Sequence, residues 1–109
     1  MTWKHLDNNT SLSDLIAESY ETPVLIFKHS TRCGVSSFVK NRFEDDWDLT
    51  AVTPYYLDLV RHRQMSNEIA QTFGVRHESP QMLLIRDGEC VLDASHMSVR
   101  VDRVAGVLA

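Results

Sequence analysis

An apolar run that ends just before a single cysteine constrains the fold of this chain more than any other feature. Residues 23–29 (PVLIFKH) have the length and the content of β-forming residues that are typical of a buried central strand. Cys33 follows this run, and the residues beyond it have helical spacing. The pattern therefore predicts Cys33 at the carboxyl end of a strand, where open α/β sheets bind their ligands.

The helix after the cysteine is predicted to run from Cys33 to about Trp47. Its apolar residues follow the i, i+3, i+4, i+8 spacing of one helix face, and charged residues cover the other. We expect the buried face to consist of Val35, Phe38, Val39 and Phe43.

Cys33 is the candidate nucleophile. A sulfur at the first turn of a helix lies near unpaired N–H groups and the positive end of the helix dipole, which favours the reactive thiolate. The alternative is a small buried hydrophobe, but the neighbours Thr31, Arg32 and Ser36 are polar. Ser36 lies where a dithiol site has its second cysteine, and it either donates a hydrogen bond to the thiolate or is an ordinary serine of a first helical turn.

Size and composition restrict the class of protein. A chain of 109 residues is expected to form a single domain, residues 1–109. The net charge of −4 without a basic cluster argues against a nucleic-acid partner. No apolar stretch is long enough to span a membrane, the N-terminus does not resemble a signal peptide, and two cysteines suit a reducing compartment, so we expect a cytoplasmic protein with no membrane partner.

The remaining elements are predicted from the periodicity of apolar residues and from residues typical of helix caps and turns. Their order is β-α-β-α-β-α-β-β-α. Ser11 resembles the N-cap of the first helix, Gly74 a left-handed helix end, and Asp87-Gly88 a hairpin turn. The predicted strands are 3–6, 23–29, 55–60, 81–85 and 89–92, with Pro54 at the start of the third or on a free edge. The predicted helices are 11–20, with Leu12, Leu15, Ile16 and Tyr20 inward, 33–47, 66–73, and a last one from Ser98 with Val99, Val101, Val104, Val107 and Leu108 as candidate buried positions.

This order, with a redox-type cysteine after the second strand and a proline before the hairpin, resembles the thioredoxin fold. Three separated motifs are similar to the YtxJ family of monothiol bacilliredoxins: FKHSTRCGVS at 27–36, ESPQ at 78–81 and ASH at 94–96. The resemblance covers nearly the whole chain. It implies an α/β fold, a thioredoxin-like three-layer α/β/α sandwich with a mixed central sheet.

The resemblance also implies an activity, the removal of bacillithiol from mixed disulfides on proteins. The residues favour the same single-thiol chemistry, because Ser36 cannot release a product from a mixed disulfide on Cys33 and an outside thiol must complete the cycle. Bacillithiol is then a co-substrate, and no cofactor is bound. The chain departs from the family at Gly34, where the family usually has proline, and glycine loosens a first helical turn.

Seven further residues are predicted to contact the substrate. Arg32 either stabilises the thiolate, binds a carboxylate of the small thiol, or is simply solvated. The resemblance implies a cis peptide bond before Pro80, which would expose the Ser79 backbone for pairing with a substrate chain. His96 either contacts the anionic thiol or assists proton transfer, or is a plain loop histidine. The full predicted set is Thr31, Arg32, Gly34, Ser79, Pro80, Ser95 and His96.

Cys90 is not expected to resolve a mixed disulfide on Cys33. The hairpin carries it away from the active-site end by about five residues of strand, or roughly 16 Å, whereas a disulfide needs Cα atoms within about 7 Å. The other histidines have no metal-binding spacing, so we predict no metal site.

Two alternatives remain at this stage. One is a redox-inactive thioredoxin-fold module that holds partner chains in the same groove. The other is monothiol exchange with a different low-molecular-weight thiol, such as glutathione or coenzyme A.

Overall fold

The computed structural model describes residues 1–109 and contains five strands and four α-helices. The strands are β1 (Lys4–Leu6), β2 (Val24–His29), β3 (Thr53–Asp58), β4 (Gln81–Arg86) and β5 (Glu89–Ser95). The helices are α1 (Leu12–Ser19), α2 (Gly34–Asp46), α3 (Arg63–Phe73) and α4 (Val101–Leu108), with one 3₁₀ turn at His96–Ser98. The predicted order of elements is confirmed.

The strands form one mixed sheet in the order β1-β3-β2-β4-β5. β1, β3 and β2 are parallel, whereas β4 runs antiparallel to β2 and to β5. Every residue of β2 is buried, as expected of a central strand. Pro54 lies at the start of β3, just before the residues that pair with β1. The absence of an N–H group on this proline therefore removes no backbone hydrogen bond to β1.

Two apolar clusters cover the two faces of the sheet and produce the predicted three layers. On one face α1 and α3 pack over alternate residues of β2 and β4. On the other face α2 and α4 pack over the intervening residues, and Trp3 from the N-terminus joins the aromatic rings of Phe27 and Phe43. The first cluster includes Leu12, Leu15, Ile26, Met65, Ile69 and Leu83; the second includes Leu25, Phe27, Val39, Phe43, Met82 and Val104.

The predicted buried face of α2 is wrong in its first half. Val35 and Phe38 are 50% and 56% exposed, whereas Val39 and Phe43 are fully buried. The buried stripe is completed by Ser36, which is 0% exposed. A rule based on the spacing of apolar residues cannot identify this buried face, because one of its residues is a hydrogen-bonded serine.

Tyr20 was predicted to point inward but is 63% exposed. It lies at the end of α1 against the β4–β5 turn, where a Cβ atom on Gly88 would approach the Tyr20 hydroxyl to 2.6 Å. The same turn is held by Ser19, whose carbonyl accepts the Asp87 N–H and whose hydroxyl accepts the Gly88 N–H. Asp87 and Gly88 both have positive φ, which confirms the predicted Asp-Gly turn.

Two helix starts also differ from the prediction. The last helix begins at Val101 rather than Ser98, and its N-cap is Arg100, which makes no side-chain capping bond. Ser98 instead belongs to the 3₁₀ turn that follows β5. α3 begins at Arg63, one turn before the predicted Ser66, and ends at Gly74 with the predicted left-handed conformation.

Candidate functional site

Cys33 is the N-cap residue of α2, at the carboxyl end of β2. Its N–H donates to the carbonyl of Ser30, and its carbonyl accepts the N–H of Ser37, so the backbone on both sides of the thiol is fixed. The side chain is half-buried and makes no capping hydrogen bond. The structure therefore holds the side chain of Cys33 at the N-terminus of the helix, where backbone N–H groups are unpaired.

Ser36 is oriented by two groups of β2 and the loop that follows it. Its Oγ lies 2.7 Å from Nδ1 of His29 and accepts the N–H of Ser30 at 3.1 Å. These bonds attach the first turn of α2 to the end of β2. Sequence reasoning gave His29 no role, and its position at the end of the strand before the cysteine loop was the available signal.

The Ser79–Pro80 peptide bond is cis, as the resemblance implied. Pro80 directly precedes β4, and Gln81 pairs with Lys28 of β2, so the proline lies at the edge of the sheet where β2 ends. The backbone N–H and C=O of Ser79 make no hydrogen bond within the chain, and its hydroxyl is buried without a partner.

The end of β5 reaches the same edge. Ser95 pairs with Gln81, and the His96 N–H donates to the Pro80 carbonyl at 2.8 Å. The imidazole of His96 lies 3.6 Å from the carboxylate of Glu78 and is exposed. The sheet therefore places Ser79, Pro80, Ser95 and His96 at the edge from which Cys33 emerges.

α2 is joined to the 3₁₀ turn through Arg42, whose guanidinium donates to the carbonyls of Met97 and Val99. The exposed side chains Val35, Phe38 and Met97 lie on these two elements. Thr31, Arg32 and Gly34 are exposed around the cysteine. None of the three surface clefts of the molecule includes Cys33, and its side chain is partly exposed.

Lys28 is a buried polar residue that sequence reasoning missed, because it lies inside an otherwise apolar strand. It is 0% exposed, and its Nζ donates to the Ser66 carbonyl at 3.0 Å and lies 3.5 Å from Nδ1 of His77. Burial lowers the pKa of Lys28 to about 8. The pKa of His77 is also lowered, by burial first and then by the neighbouring Lys28 charge.

Cys90 lies at the opposite end of the sheet, as predicted. It pairs with Ile85, which pairs with Val24 at the start of β2, and its Sγ lies 3.3 Å from the Leu92 carbonyl. Burial raises the pKa of Cys90 to about 11, so this thiol is protonated and unreactive at neutral pH. Both cysteines are free.

The comparisons with known proteins agree with this geometry. Residues 4–104 match the family described as monothiol bacilliredoxin BrxC. The chain belongs to this family. Its thiol-disulfide oxidoreductase activity follows from the family and from the fold around Cys33.

Solved structures show the same fold. A protein assigned as an oxidoreductase with a thioredoxin fold is 28% identical to this bacilliredoxin, with a TM-score of 0.78 over 96% of this chain and 92% of that one. Thioredoxin from Trypanosoma brucei brucei has a TM-score of 0.79 at 8% identity, covering 98% and 91%. Thioredoxin from Schistosoma mansoni has a TM-score of 0.74 at 16% identity, covering 97% and 92%. The last two show the fold alone, and the predicted thioredoxin-like class is confirmed.

No helix has the length and apolar character needed to cross a membrane. Nor does the structure bring together three or more His, Cys, Asp or Glu side chains that could hold a metal ion.

Proline in place of Gly34 is expected to stabilise this protein by about 1 kcal/mol, because proline restricts the unfolded chain and suits a first helical position. A Cβ atom at Gly34 would meet nothing within 4 Å. Cys33, with φ −116° and ψ 117°, already has the extended backbone that a residue before proline requires. Urea unfolding of Gly34→Pro would measure the gain.

Gly106→Pro is the matched control, since Gly106 is equally open but lies inside α4. There proline is expected to destabilise the protein by about 3 kcal/mol. A Gly34→Pro variant that is less stable than the wild type would contradict the prediction.

Proposed function

We propose that this bacilliredoxin removes bacillithiol from mixed disulfides on cytoplasmic proteins by exchange at Cys33 alone. The observation that carries the proposal is the position of Cys33: a half-exposed thiol at the N-terminus of α2, with the second cysteine at the opposite end of the sheet. Bacillithiol enters as a co-substrate, and no bound cofactor takes part.

The reaction has two exchange steps. The Cys33 thiolate attacks the bacillithiol sulfur of the mixed disulfide, forming a new S–S bond and releasing the substrate protein as a thiolate. A second low-molecular-weight thiol, as its thiolate, then attacks the disulfide on Cys33, regenerating the Cys33 thiolate and leaving as a disulfide with bacillithiol. Ser36 contributes no sulfur, so the intermediate persists until that external thiol arrives.

The edge of the sheet offers contacts for a protein substrate. The unpaired backbone groups of Ser79 support pairing with an extended segment of the substrate chain, in the manner of an added strand. Pro80 borders this segment. The open surface around Cys33 suits a folded protein that carries the modification better than a deep pocket would.

The polar part of the small thiol requires charged or hydrogen-bonding partners beside Cys33. Arg32 and Thr31 are exposed in the loop that precedes Cys33, and Ser95 and His96 lie at the same end of the sheet. We assign Arg32 to a carboxylate of the co-substrate, since its guanidinium is always charged and suits a carboxylate. A side chain at Gly34 would meet no other group within 4 Å, so the surface there is open.

Intact-mass measurement tests this proposal. The purified protein is incubated with a bacillithiol-capped test protein, and the mass added to each partner is followed with time. We expect the cap to move to the wild type and to Cys90→Ser, and we expect no transfer to Cys33→Ser. Transfer to Cys90 in the Cys33→Ser variant would contradict the assignment of the nucleophile.

A glutathione-capped copy of the same test protein shows which of the two small thiols is the preferred co-substrate. Faster transfer from the bacillithiol-capped protein supports the proposed co-substrate, whereas faster transfer from the glutathione-capped protein would favour exchange with a different thiol. If neither cap moves while Cys33→Ser still binds partner chains, the groove acts as a binding module.

A further inference from the structure

We propose that Lys28 is a positioning residue for the reaction, and that it orders the segment 76–79 through the imidazole of His77. This segment leads into β4 and contains Ser79, whose unpaired backbone groups are the proposed contact for a substrate chain. The inference rests on the proposed function and deepens it, because it names a buried side chain that keeps the substrate-binding segment in place.

The ring of His77 is held by groups of both β2 and α3. The Nζ of Lys28 donates to the carbonyl of Ser66 in α3 at 3.0 Å and lies 3.5 Å from Nδ1 of His77. The hydroxyl of Ser66 lies 3.3 Å from the same Nδ1. One buried ammonium therefore connects the central strand, a helix and the segment that precedes the cis-proline.

A second attachment lies one residue earlier in the segment. Gln81 pairs in register with Lys28, is 1% exposed, and donates from its Nε2 to the carbonyl of Arg76 at 2.8 Å. Two neighbouring buried side chains, one from β2 and one from β4, thus attach the beginning of the segment to the sheet.

Residues 76–79 have little else to hold them. No backbone–backbone hydrogen bond involves these four residues. Their remaining polar contact is the pair of Glu78 and His96, which are 3.6 Å apart and exposed. The position of Ser79 therefore depends on the side-chain contacts made at Arg76 and His77.

Lysine is an unfavourable residue at the position that it occupies in β2. Lys28 is 0% exposed, and the other residues of β2 on the same face, Val24 and Ile26, are apolar. No carboxylate forms an ion pair with it, and a buried ammonium without such a partner is destabilising. A residue that opposes stability in this way is typical of a functional position.

The chemistry of the ammonium sets the direction of the contact with His77. A lysine ammonium has three donors and no acceptor, so Nδ1 of His77 accepts and carries no hydrogen. The pKa of His77 is lowered by burial first, then by the charges of Lys28 and Arg63, whereas Glu78 acts in the opposite direction. The imidazole is therefore neutral at neutral pH, as an acceptor at Nδ1 requires.

The direct test is the protonation of His77, followed by ¹⁵N-detected imidazole spectra. We expect Nδ1 without hydrogen and Nε2 with it in the wild type at neutral pH. Lys28→Met should raise the pKa of His77, because it removes a neighbouring positive charge, and Lys4→Met, at an exposed position, should leave it unchanged. A hydrogen on Nδ1 of the neutral wild-type ring would overturn the proposal, since Nδ1 could not then accept from Lys28.

Backbone ¹⁵N relaxation measures whether the contact orders the segment. We expect amide order parameters of residues 77–79 near the rigid value of about 0.85 in the wild type and in Lys4→Met, and clearly lower values in Lys28→Met. Unchanged order parameters in Lys28→Met would refute the proposal. Neither spectroscopic measurement uses bacillithiol, so both decide the role of Lys28 whichever small thiol is the co-substrate.

The functional test compares two reactions of Cys33. Transfer of the cap from the bacillithiol-capped test protein should be roughly fivefold slower in Lys28→Met, about the effect of losing one hydrogen bond. Alkylation by iodoacetamide, a small reagent that needs no contact with the segment, should be unchanged.

His77→Leu should slow the transfer to the same extent as Lys28→Met. The double variant should be no slower than either single variant, because the two residues act through one contact. Equal slowing of transfer and alkylation, or additive effects of the two substitutions, would show a merely structural role and contradict the proposal.

Discussion

Replacing Ser36 with cysteine is expected to convert the single-thiol site into a dithiol site. Residues 33 and 36 occupy the N-cap and N3 positions of α2, one helical turn apart. Helix geometry places Cα atoms three residues apart at about 5 Å, which is within the roughly 7 Å that a disulfide allows. The new thiol would attack the mixed disulfide on Cys33, release the cap and leave a disulfide between residues 33 and 36.

Intact mass after exposure to the capped test protein would show the change. Wild-type protein should accumulate the mass of the cap, whereas Ser36→Cys should show only the loss of the two hydrogens of an internal disulfide. Ser36→Ala, which lacks both the hydroxyl and a thiol, should retain the cap like the wild type. A Ser36→Cys protein that also retains the cap would contradict the assigned geometry.

Replacing Lys28 with methionine is expected to remove a rise of about 3 kcal/mol in the free energy of unfolding that the wild type shows with increasing pH. This value corresponds to a pKa lowered from 10.5 to about 8. Below pH 8 both the folded and the unfolded wild-type chains carry the proton, and the folded chain bears the cost of a buried charge. Between pH 8 and 10.5 the folded chain loses the proton first, so wild-type stability rises with pH. Methionine fills the same space without titrating.

Urea unfolding in the presence of a reductant, from pH 7 to 10.5, measures this difference. At pH 7 the variant should be at least as stable as the wild type, because a buried lysine without an acidic partner is unfavourable. The wild type should then gain on the variant as the pH rises. Lys4→Met, at an exposed position on the edge strand, is the control. If the free energy of unfolding changed with pH in the same way for the wild type and Lys28→Met, this would contradict the desolvation of Lys28 that the structure indicates.

Much of the fold was accessible from local sequence signals. The apolar run of β2, the Asp-Gly turn and the left-handed end at Gly74 are each set by the preferences of a few neighbouring residues, and all three are confirmed. The boundaries that failed were those without a local signal. Arg100 makes no capping bond, so nothing in the sequence marked the start of α4.

The candidate site was predicted in part. Local pattern placed Cys33 at the start of a helix and Cys90 at the far end of a hairpin, and the topology agrees with both. The functions of Thr31, Arg32, Gly34, Ser79, Pro80, Ser95 and His96 stay predictions. The structure shows that the sheet edge brings the last four together, through the pairing of β2 with β4 and of β4 with β5.

The sequence by itself determined the order of the elements, the single thiol at the end of a buried strand and the absence of a neighbouring second thiol. These depend on residue type and on spacing along the chain. Only the tertiary structure decided the partners of polar side chains, among them Ser36 with His29 and Lys28 with Ser66 and His77. Each of these polar side chains can be buried because another element of the fold supplies its hydrogen bond, and hydrophobic periodicity does not show which element that is.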